Sequence, residues 1–224
     1  LKEFAEKVDQ VAQTADCLQH FIMIPFQNTL PFAKSVLFNV FKRSMVTSTL
    51  KTPKLVQHNE LIKNQGGAQY PTVQRDDLAI LQFTGGTTGL PKAAMLTHGN
   101  IAANLDQCLD YFGTIPEGSS QMVVLPFFHI FAMTTVMNFS IAMGMKMVMM
   151  PRFEIKGFLD LIQKEKPNIM CAVPTIFQAV LNNDISQKYD LSSLQYCISG
   201  GAPLPAEVKR SFEDVAECVV VEGY

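Results

Sequence analysis

Nine consecutive residues, Thr84 to Lys92, combine small, hydroxyl-bearing and cationic side chains in the order TGGTTGLPK. Glycines let a backbone approach a ligand closely and adopt positive φ angles. Successive loop N–H groups can form a nest for an anion, threonine hydroxyls add donors, and Lys92 supplies a point charge for a phosphate. The segment therefore predicts a loop that holds a polyphosphate.

Two common nucleotide-binding motifs do not fit this loop. A Walker A motif needs GxxxxGK followed by Ser or Thr, but Pro91 interrupts the segment and Ala93 follows the lysine. The GxGxxG pattern of dinucleotide-binding enzymes is absent too. P-loop NTPases and dinucleotide-binding enzymes are therefore disfavoured.

Three further segments, FFHI, GGAP and EGY, share one property with the glycine-rich loop. Each of the four follows the carboxyl end of a predicted strand, where ligands bind in open α/β sheets. Alternatives stay open for single segments: GGAP alone is typical of a Gly-Pro turn into a helix, and a lone His129 in an apolar stretch is typical of a core histidine.

Short apolar strands alternate with amphipathic helices after Asp76, which predicts an α/β fold with mostly parallel sheets and helices on both faces. The predicted strands are 78–83, 121–126, 145–150, 168–173, 194–199 and the run CVVVEG. The predicted helices are Thr97 to Gly113 with Thr97 as N-cap, a buried helix within 127–144, and helices around Phe158, after Pro174 and around Phe212.

The N-terminal third is less regular. Apolar spacing predicts a helix from Leu1 to Leu18, a strand over 20–24 and a helix that starts at Pro31 and runs to Phe41. An irregular connection with one short helical turn follows over 47–75. Six Lys or Arg and one acid lie between His20 and Lys63, including Lys34, Lys42 and Arg43. They form either a solvated face on a core-packed helix or a contact with the inner membrane surface.

Composition bounds the function. The 224 residues are 48% hydrophobic and 17% charged with a net charge of −2, which predicts a folded core and no nucleic-acid partner. Five widely spaced cysteines, none in a CxxC pair, predict a reduced, cytoplasmic protein without a disulfide framework or a zinc knuckle. Because the chain starts at Leu1 and stops in an apolar run, we expect a piece of a longer protein.

Residues 118–145 carry no Asp, Glu, Lys or Arg, so a transmembrane helix has to be weighed against a core helix. Polar residues such as Thr134, Thr135 and Ser140 interrupt the run and favour the core helix. Eight of the twelve methionines fall within 122–150, where they form core packing or a pliable pocket wall.

The four motifs, in this order and spacing, resemble the signatures of the adenylate-forming, AMP-binding superfamily, and bacterial long-chain fatty acid CoA ligases above all. The similarity is clear from Asp76 to Tyr224. It implies part of a large N-terminal domain, with a first subdomain over 1–115, an incomplete second one over 116–224, and no C-terminal closing domain. Two departures are Ala93, where the family has Gly, and the family's residues beyond Tyr224, which this chain lacks.

The resemblance implies a role for each matching residue. The β- and γ-phosphates of ATP would be enclosed by Thr84, Gly85, Gly86, Thr87, Thr88, Gly89 and Lys92. Adenine would contact Gly200, Gly201, Ala202 and Pro203 and would stack on Tyr224. The fatty acid would adjoin Phe127, Phe128 and His129, and the catalytic residues would be His129 and Lys92.

The implied reaction uses ATP, Mg²⁺ and CoA to convert a fatty acid to acyl-adenylate and then to acyl-CoA. A region without Asp or Glu over 121–150 suits an uncharged aliphatic tail, because each buried CH₂ contributes about 0.8 kcal/mol. Alternatives are a synthetase that passes its product to a carrier protein and a non-catalytic nucleotide-binding or interaction module. We expect the 224-residue chain alone to be inactive; oligomerisation stays open.

Overall fold

The computed structural model describes residues 2–25, 28, 30–41, 54–63, 66–67, 69–84, 91–113, 115–150 and 152–223. The chain divides into two compact units, Leu1–Pro71 and Thr72–Tyr224. The expected boundary near residue 115 concerns subdomains of a longer protein and stays a prediction.

The first unit contains three helices and two short strands in its described residues: α1 (Lys2–Thr14), β1 (Phe21–Met23), α2 (Phe32–Phe41), β2 (Leu55–Gln57) and α3 (His58–Leu61). The helices and β1 confirm the predictions, whereas β2 lies in the segment predicted to be irregular. It pairs in parallel with β1, with Phe21 opposite Leu55. No residue of α2 is buried, and Phe32 is 87% exposed; both interpretations of the basic stretch stay predictions.

The second unit begins with a hairpin, β3 (Leu78–Thr84) and β4 (Lys92–Thr97). β3 was predicted and β4 was not. The two strands are antiparallel, and their last paired residues are Thr84 and Lys92. Helix α4 (His98–Phe112) follows at once, and Thr97 caps it as predicted by accepting a hydrogen bond from the Asn100 N–H.

A five-stranded parallel sheet forms the rest of the second unit. Its strands are β5 (Ser120–Val123), β6 (Lys146–Met149), β7 (Ile169–Ala172), β8 (Tyr196–Ser199) and β9 (Val219–Glu222). They lie in the order β6-β5-β7-β8-β9, so the direction of winding reverses between β5 and β7. Such a reversal opens a crevice beyond the carboxyl ends of the strands.

Helices cover both faces of this sheet, which confirms the predicted α/β class. One face carries α7 (Ile155–Glu165), α8 (Pro174–Leu181), a 3₁₀ turn (Asp184–Lys188) and α9 (Ala206–Ala216). Fully buried Phe158, Phe177 and Phe212 join these helices to Met122 and Met170 of the sheet in the largest apolar cluster.

The other face carries α4 and a helical run between β5 and β6. That run consists of α5 (Ile130–Ala132), a π-helical segment (Met133–Asn138) and α6 (Phe139–Ala142). It packs Val136 against Cys171 and Ile198 of the sheet. Among the described residues, no helix combines the length and apolar character that a membrane crossing requires.

Candidate functional site

Three of the four predicted motifs meet at the carboxyl edge of the five-stranded sheet. His129 follows β5, Gly200 to Pro203 follow β8, and Gly223 follows β9. The Gly200 N–H donates to the Ala172 carbonyl at 3.1 Å, and the Gly223 N–H donates to the Ser199 carbonyl at 2.8 Å. These bonds extend the strand ladder beyond the ends of the strands and fix the turns relative to one another.

The Gly200-Gly201 pair requires glycine for two different reasons. A Cβ atom on Gly200 would lie 2.8 Å from Cζ of Phe131, so the ring occupies the space that a side chain would need. Gly201 instead has a φ of 81°, in the region that side chains disfavour. Gly200 therefore lets the backbone contact the Phe131 ring, and Gly201 lets the chain turn sharply directly after this contact.

Glu222 joins two of the motifs directly. Its carboxylate Oε2 accepts a hydrogen bond from the Leu204 N–H at 3.2 Å. The bond connects the last residue of β9 to the turn that follows β8. Because Leu204 itself is buried, the turn is held on one side by packing and on the other by this carboxylate.

His129 is exposed at the start of α5. Its Nδ1 accepts a hydrogen bond from the Phe131 N–H at 3.3 Å, so the neutral ring carries its proton on Nε2. The imidazole therefore presents an N–H donor that an anionic group such as a carboxylate or phosphate can accept.

A cavity of about 650 Å³ lies between these segments. It falls within the roughly 300–1,000 Å³ typical of ligand pockets. Its walls come from α4, from the run beginning at His129, from the glycine turn and from the end of β9: Asn104, Cys108, His129, Ile130, Phe131, Thr134, Thr135, Gly201, Ala202, Pro203, Glu222 and Gly223. Burial raises the pKa of the Cys108 thiol, which keeps it protonated on this wall.

The phosphate loop is described only at its base. Thr84 and Lys92 are the strand pair next to the connecting loop of the hairpin. Both are exposed, and the Thr84 hydroxyl donates to the Lys92 carbonyl at 3.3 Å. The predicted ligands Gly85, Gly86, Thr87, Thr88 and Gly89, like Tyr224, lie outside the described residues. The hairpin is separate from the five-stranded sheet, so the expectation that the loop follows a parallel strand like the other motifs is wrong.

A second cavity of about 380 Å³ lies on the same face of the sheet. Phe112, Phe139, Ile198 and Val221 contribute apolar walls, and none of the described residues that line it is Asp, Glu, Lys, Arg or His. Thr135 lines both cavities, which makes it the residue they share.

Two residues predicted to adjoin the acyl chain, Phe127 and Phe128, line neither of the two cavities, and their role stays a prediction. Phe127 is half-buried against the cluster around Val136, and Phe128 is 84% exposed. Sequence reasoning did not assign Phe131, Thr135 or Glu222 to the site. The available signal was the polar interruption of an otherwise apolar run by Thr134 and Thr135.

Comparison with known proteins decides the family. The model for the AMP-binding enzyme family matches residues 8–224. This chain belongs to that family. A long-chain-fatty-acid–CoA ligase of Bacillus subtilis (strain 168) is 36% identical over 217 residues, which cover 95% of this chain and 39% of the relative. The chain thus spans about two fifths of the length of that curated relative.

Solved structures of the family agree with the fold. The inhibitor-bound N-terminal domain of FACL13 from Mycobacterium tuberculosis superimposes with a TM-score of 0.64 at 27% identity, covering 83% of this chain and 47% of that one. ATP-bound MatB from Rhodopseudomonas palustris gives 0.58 at 28% identity, covering 66% and 29%. Membership in the family of AMP-binding enzymes fits the convergence of the His129, Gly200 and Gly223 segments on one cavity.

Proposed function

We propose that the chain is the nucleotide- and acyl-binding part of a longer long-chain fatty acid CoA ligase. In the reaction, a carboxylate oxygen of the fatty acid attacks the α-phosphorus of ATP to give acyl-adenylate and pyrophosphate. The thiol of CoA then displaces AMP and forms the thioester. The observation that carries the proposal is that residues of three of the four motifs line the larger cavity.

The residues divide the work by chemistry. The backbone of Gly201 to Pro203 offers a flat wall for the purine, and Lys92 at the hairpin mouth offers a charge for the departing pyrophosphate. Fixed positive charge aimed at a developing negative charge is the main means by which proteins accelerate phosphoryl chemistry. His129 lines the same cavity as Gly201 to Pro203, and its Nε2–H can orient the substrate carboxylate.

Mg²⁺ fits this site as an ion that is bound to the polyphosphate. Within the part of the chain that the structure describes, no three His, Cys, Asp or Glu side chains form a metal cluster. Mg²⁺ in nucleotide enzymes commonly binds through one or two carboxylates and substrate phosphates. In this proposal the ion would enter with the polyphosphate, which the hairpin loop positions.

An aliphatic substrate is supported by the second cavity. It lies beside the first, shares Thr135 with it and is lined by uncharged side chains. A buried ammonium without a partner would be costly there, which disfavours amino acids as substrates. The widely spaced cysteines support a reducing, cytoplasmic location; membrane contact and oligomerisation stay predictions.

Product analysis with the full-length protein, ATP, CoA and a series of fatty acids tests the proposal. We expect AMP, pyrophosphate and acyl-CoA, formed faster with long-chain acids than with acetate or amino acids. Acyl-adenylate without thioester, followed by transfer to a carrier protein, would favour the alternative synthetase. No acid-dependent pyrophosphate exchange would refute the enzymatic assignment.

Lys92→Ala, with exposed Lys188→Ala as the matched control, tests the phosphate loop. Because a charge-assisted hydrogen bond is worth about 1.5–3 kcal/mol, we expect ATP affinity to fall roughly 10- to 150-fold in the first variant only. Equal ATP affinity of the two variants in isothermal titration would contradict the role of Lys92.

A further inference from the structure

The side chain of Gln121 is the best-connected buried polar group between the sheet and the helical run. Gln121 has no exposed surface. Its Nε2 donates to the Thr135 carbonyl at 3.0 Å and lies 3.2 Å from the Cys171 sulfur, while its Oε1 accepts from the Ser140 hydroxyl at 2.6 Å. A carboxamide has two N–H donors and two acceptor positions, so most of its capacity is used.

These bonds meet the helix where its hydrogen-bond register is irregular. Within the π-helical segment the Phe139 N–H donates to the Thr134 carbonyl, five residues back. A helix that returns from five-residue to four-residue spacing has to pass over one carbonyl, and a buried carbonyl without a donor is costly. The next carbonyl, that of Thr135, accepts the Gln121 amide at 3.0 Å and, more distantly, the Cys171 thiol at 3.9 Å.

The π-helical segment, which the Gln121 hydrogen bonds hold in place (the Gln121 clamp), faces both cavities. Thr134 and Thr135 line the larger cavity, and Thr135 and Phe139 line the smaller one together with Gln121 itself. If the segment returned to α-helical spacing, every side chain after it would rotate by about 100° around the helix axis. Phe139, about one helical turn beyond Thr135, would then change its position in the smaller cavity.

We infer that Gln121 is a positioning residue that sets the acyl-chain length the enzyme accepts, by holding the π-helical segment so that Thr135 lines both cavities. The inference rests on the proposed function. It assigns the larger cavity to the reacting end of the substrate and the smaller one to carbons that only a long chain places there.

Gln121→Met removes all three polar contacts at similar side-chain length. We expect kcat/KM for sixteen-carbon acids to fall roughly 2- to 13-fold relative to eight-carbon acids, since the stabilisation of about one buried hydrogen bond is lost from the segment between the two cavities. The KM for ATP should stay unchanged. Ser140→Ala, which leaves the Thr135 bond in place, should shift the ratio in the same direction by less.

Met122→Ala is the matched control, because Met122 is equally buried next in sequence but packs on the opposite face of the sheet. It lowers stability without touching the clamp, so its chain-length profile should equal that of the wild type. The same profile in Gln121→Met would overturn the inference; should that variant not fold, an unchanged profile in Ser140→Ala would do so.

Hydrogen exchange separates this inference from the proposed function. In the wild-type chain the amides of 133–140 should be protected, and Ser140→Ala should make them exchange faster without changing those of α7. Unchanged protection would refute the clamp whatever the enzyme's substrate. A protected segment together with a wild-type enzyme that activates no fatty acid would refute the proposed function and, with it, the role in chain length.

Discussion

Gly200→Ala should weaken ligand binding in the larger cavity far more than it weakens the fold. The added Cβ would lie 2.8 Å from Cζ and 2.9 Å from Cε1 of Phe131, and 3.1 Å from the Gly223 carbonyl oxygen. Carbon atoms pack best at about 3.5–4.0 Å, so the ring has to retreat by roughly 0.7 Å or more. Since Phe131 lines the cavity, an empty cavity gives the ring room to move and a filled one does not.

The strain is therefore felt on binding. Overpacking typically costs about 1–3 kcal/mol, so affinity for an acyl-adenylate analogue should fall roughly 5- to 150-fold. Isothermal titration measures this affinity, and urea unfolding of the unliganded protein measures the smaller loss of stability. Phe131→Leu removes the atoms in conflict, so the double variant should recover part of the affinity that Gly200→Ala alone loses.

Gly201→Ala is the contrasting control. At a φ of 81° the new side chain meets only Cγ1 of Val173, at 3.4 Å, so its cost is the backbone strain of about 1–2 kcal/mol. Phe131→Leu should not rescue it. An affinity of Gly200→Ala equal to that of the wild type, or equal rescue of both glycine variants, would refute the steric argument.

Two further predictions concern stability and thiol chemistry. Hydrogen bonds from Lys146 and then Lys164 lower the pKa of Glu165 from 4.5 to about 2, so the stabilisation is complete above pH 4.5 and is lost as the pH falls towards 2. Acid unfolding followed by circular dichroism should therefore begin at higher pH in Lys146→Met, with a smaller shift in Lys164→Met. Identical acid transitions in the two variants and the wild type would contradict the ion pairs of Glu165 with these lysines. Burial raises the pKa of the Cys171 thiol to about 11. An aromatic disulfide reagent at mildly alkaline pH should therefore modify exposed Cys17 but not Cys171 in the folded chain. Labelling of Cys171 at the same rate as Cys17 would contradict this burial.

Local signals in the sequence predicted most elements of the second unit. Thr97 marked the start of α4 because a side-chain oxygen caps the first turn, and Pro174 opened α8 because its ring suits the first helical position. β4 was missed because AAMLT has neither strict alternation nor many β-branched residues, and pairing with β3 supplies its conformation. β2 was missed for the same reason, since a three-residue strand exists only through its partner β1.

The site was predictable in part for a similar reason. Motifs that follow parallel strands converge because the carboxyl ends of such strands lie at one edge. The contribution of α4, through Asn104 and Cys108, depends on how that helix packs against the π-helical segment, and no local pattern encodes this. The Gln121 clamp is likewise tertiary, because it joins residues 14 and 19 positions apart.

A crystal structure of the full-length protein with a non-hydrolysable acyl-sulfamoyl adenosine tests the central claim most directly. We expect adenine to contact Gly201 to Pro203 and the sulfamoyl group to lie within hydrogen-bond distance of His129 Nε2. We expect the alkyl tail to pass Thr135 into the smaller cavity. Adenine bound on another face of the sheet, or a tail that leaves the larger cavity without passing Thr135, would contradict it.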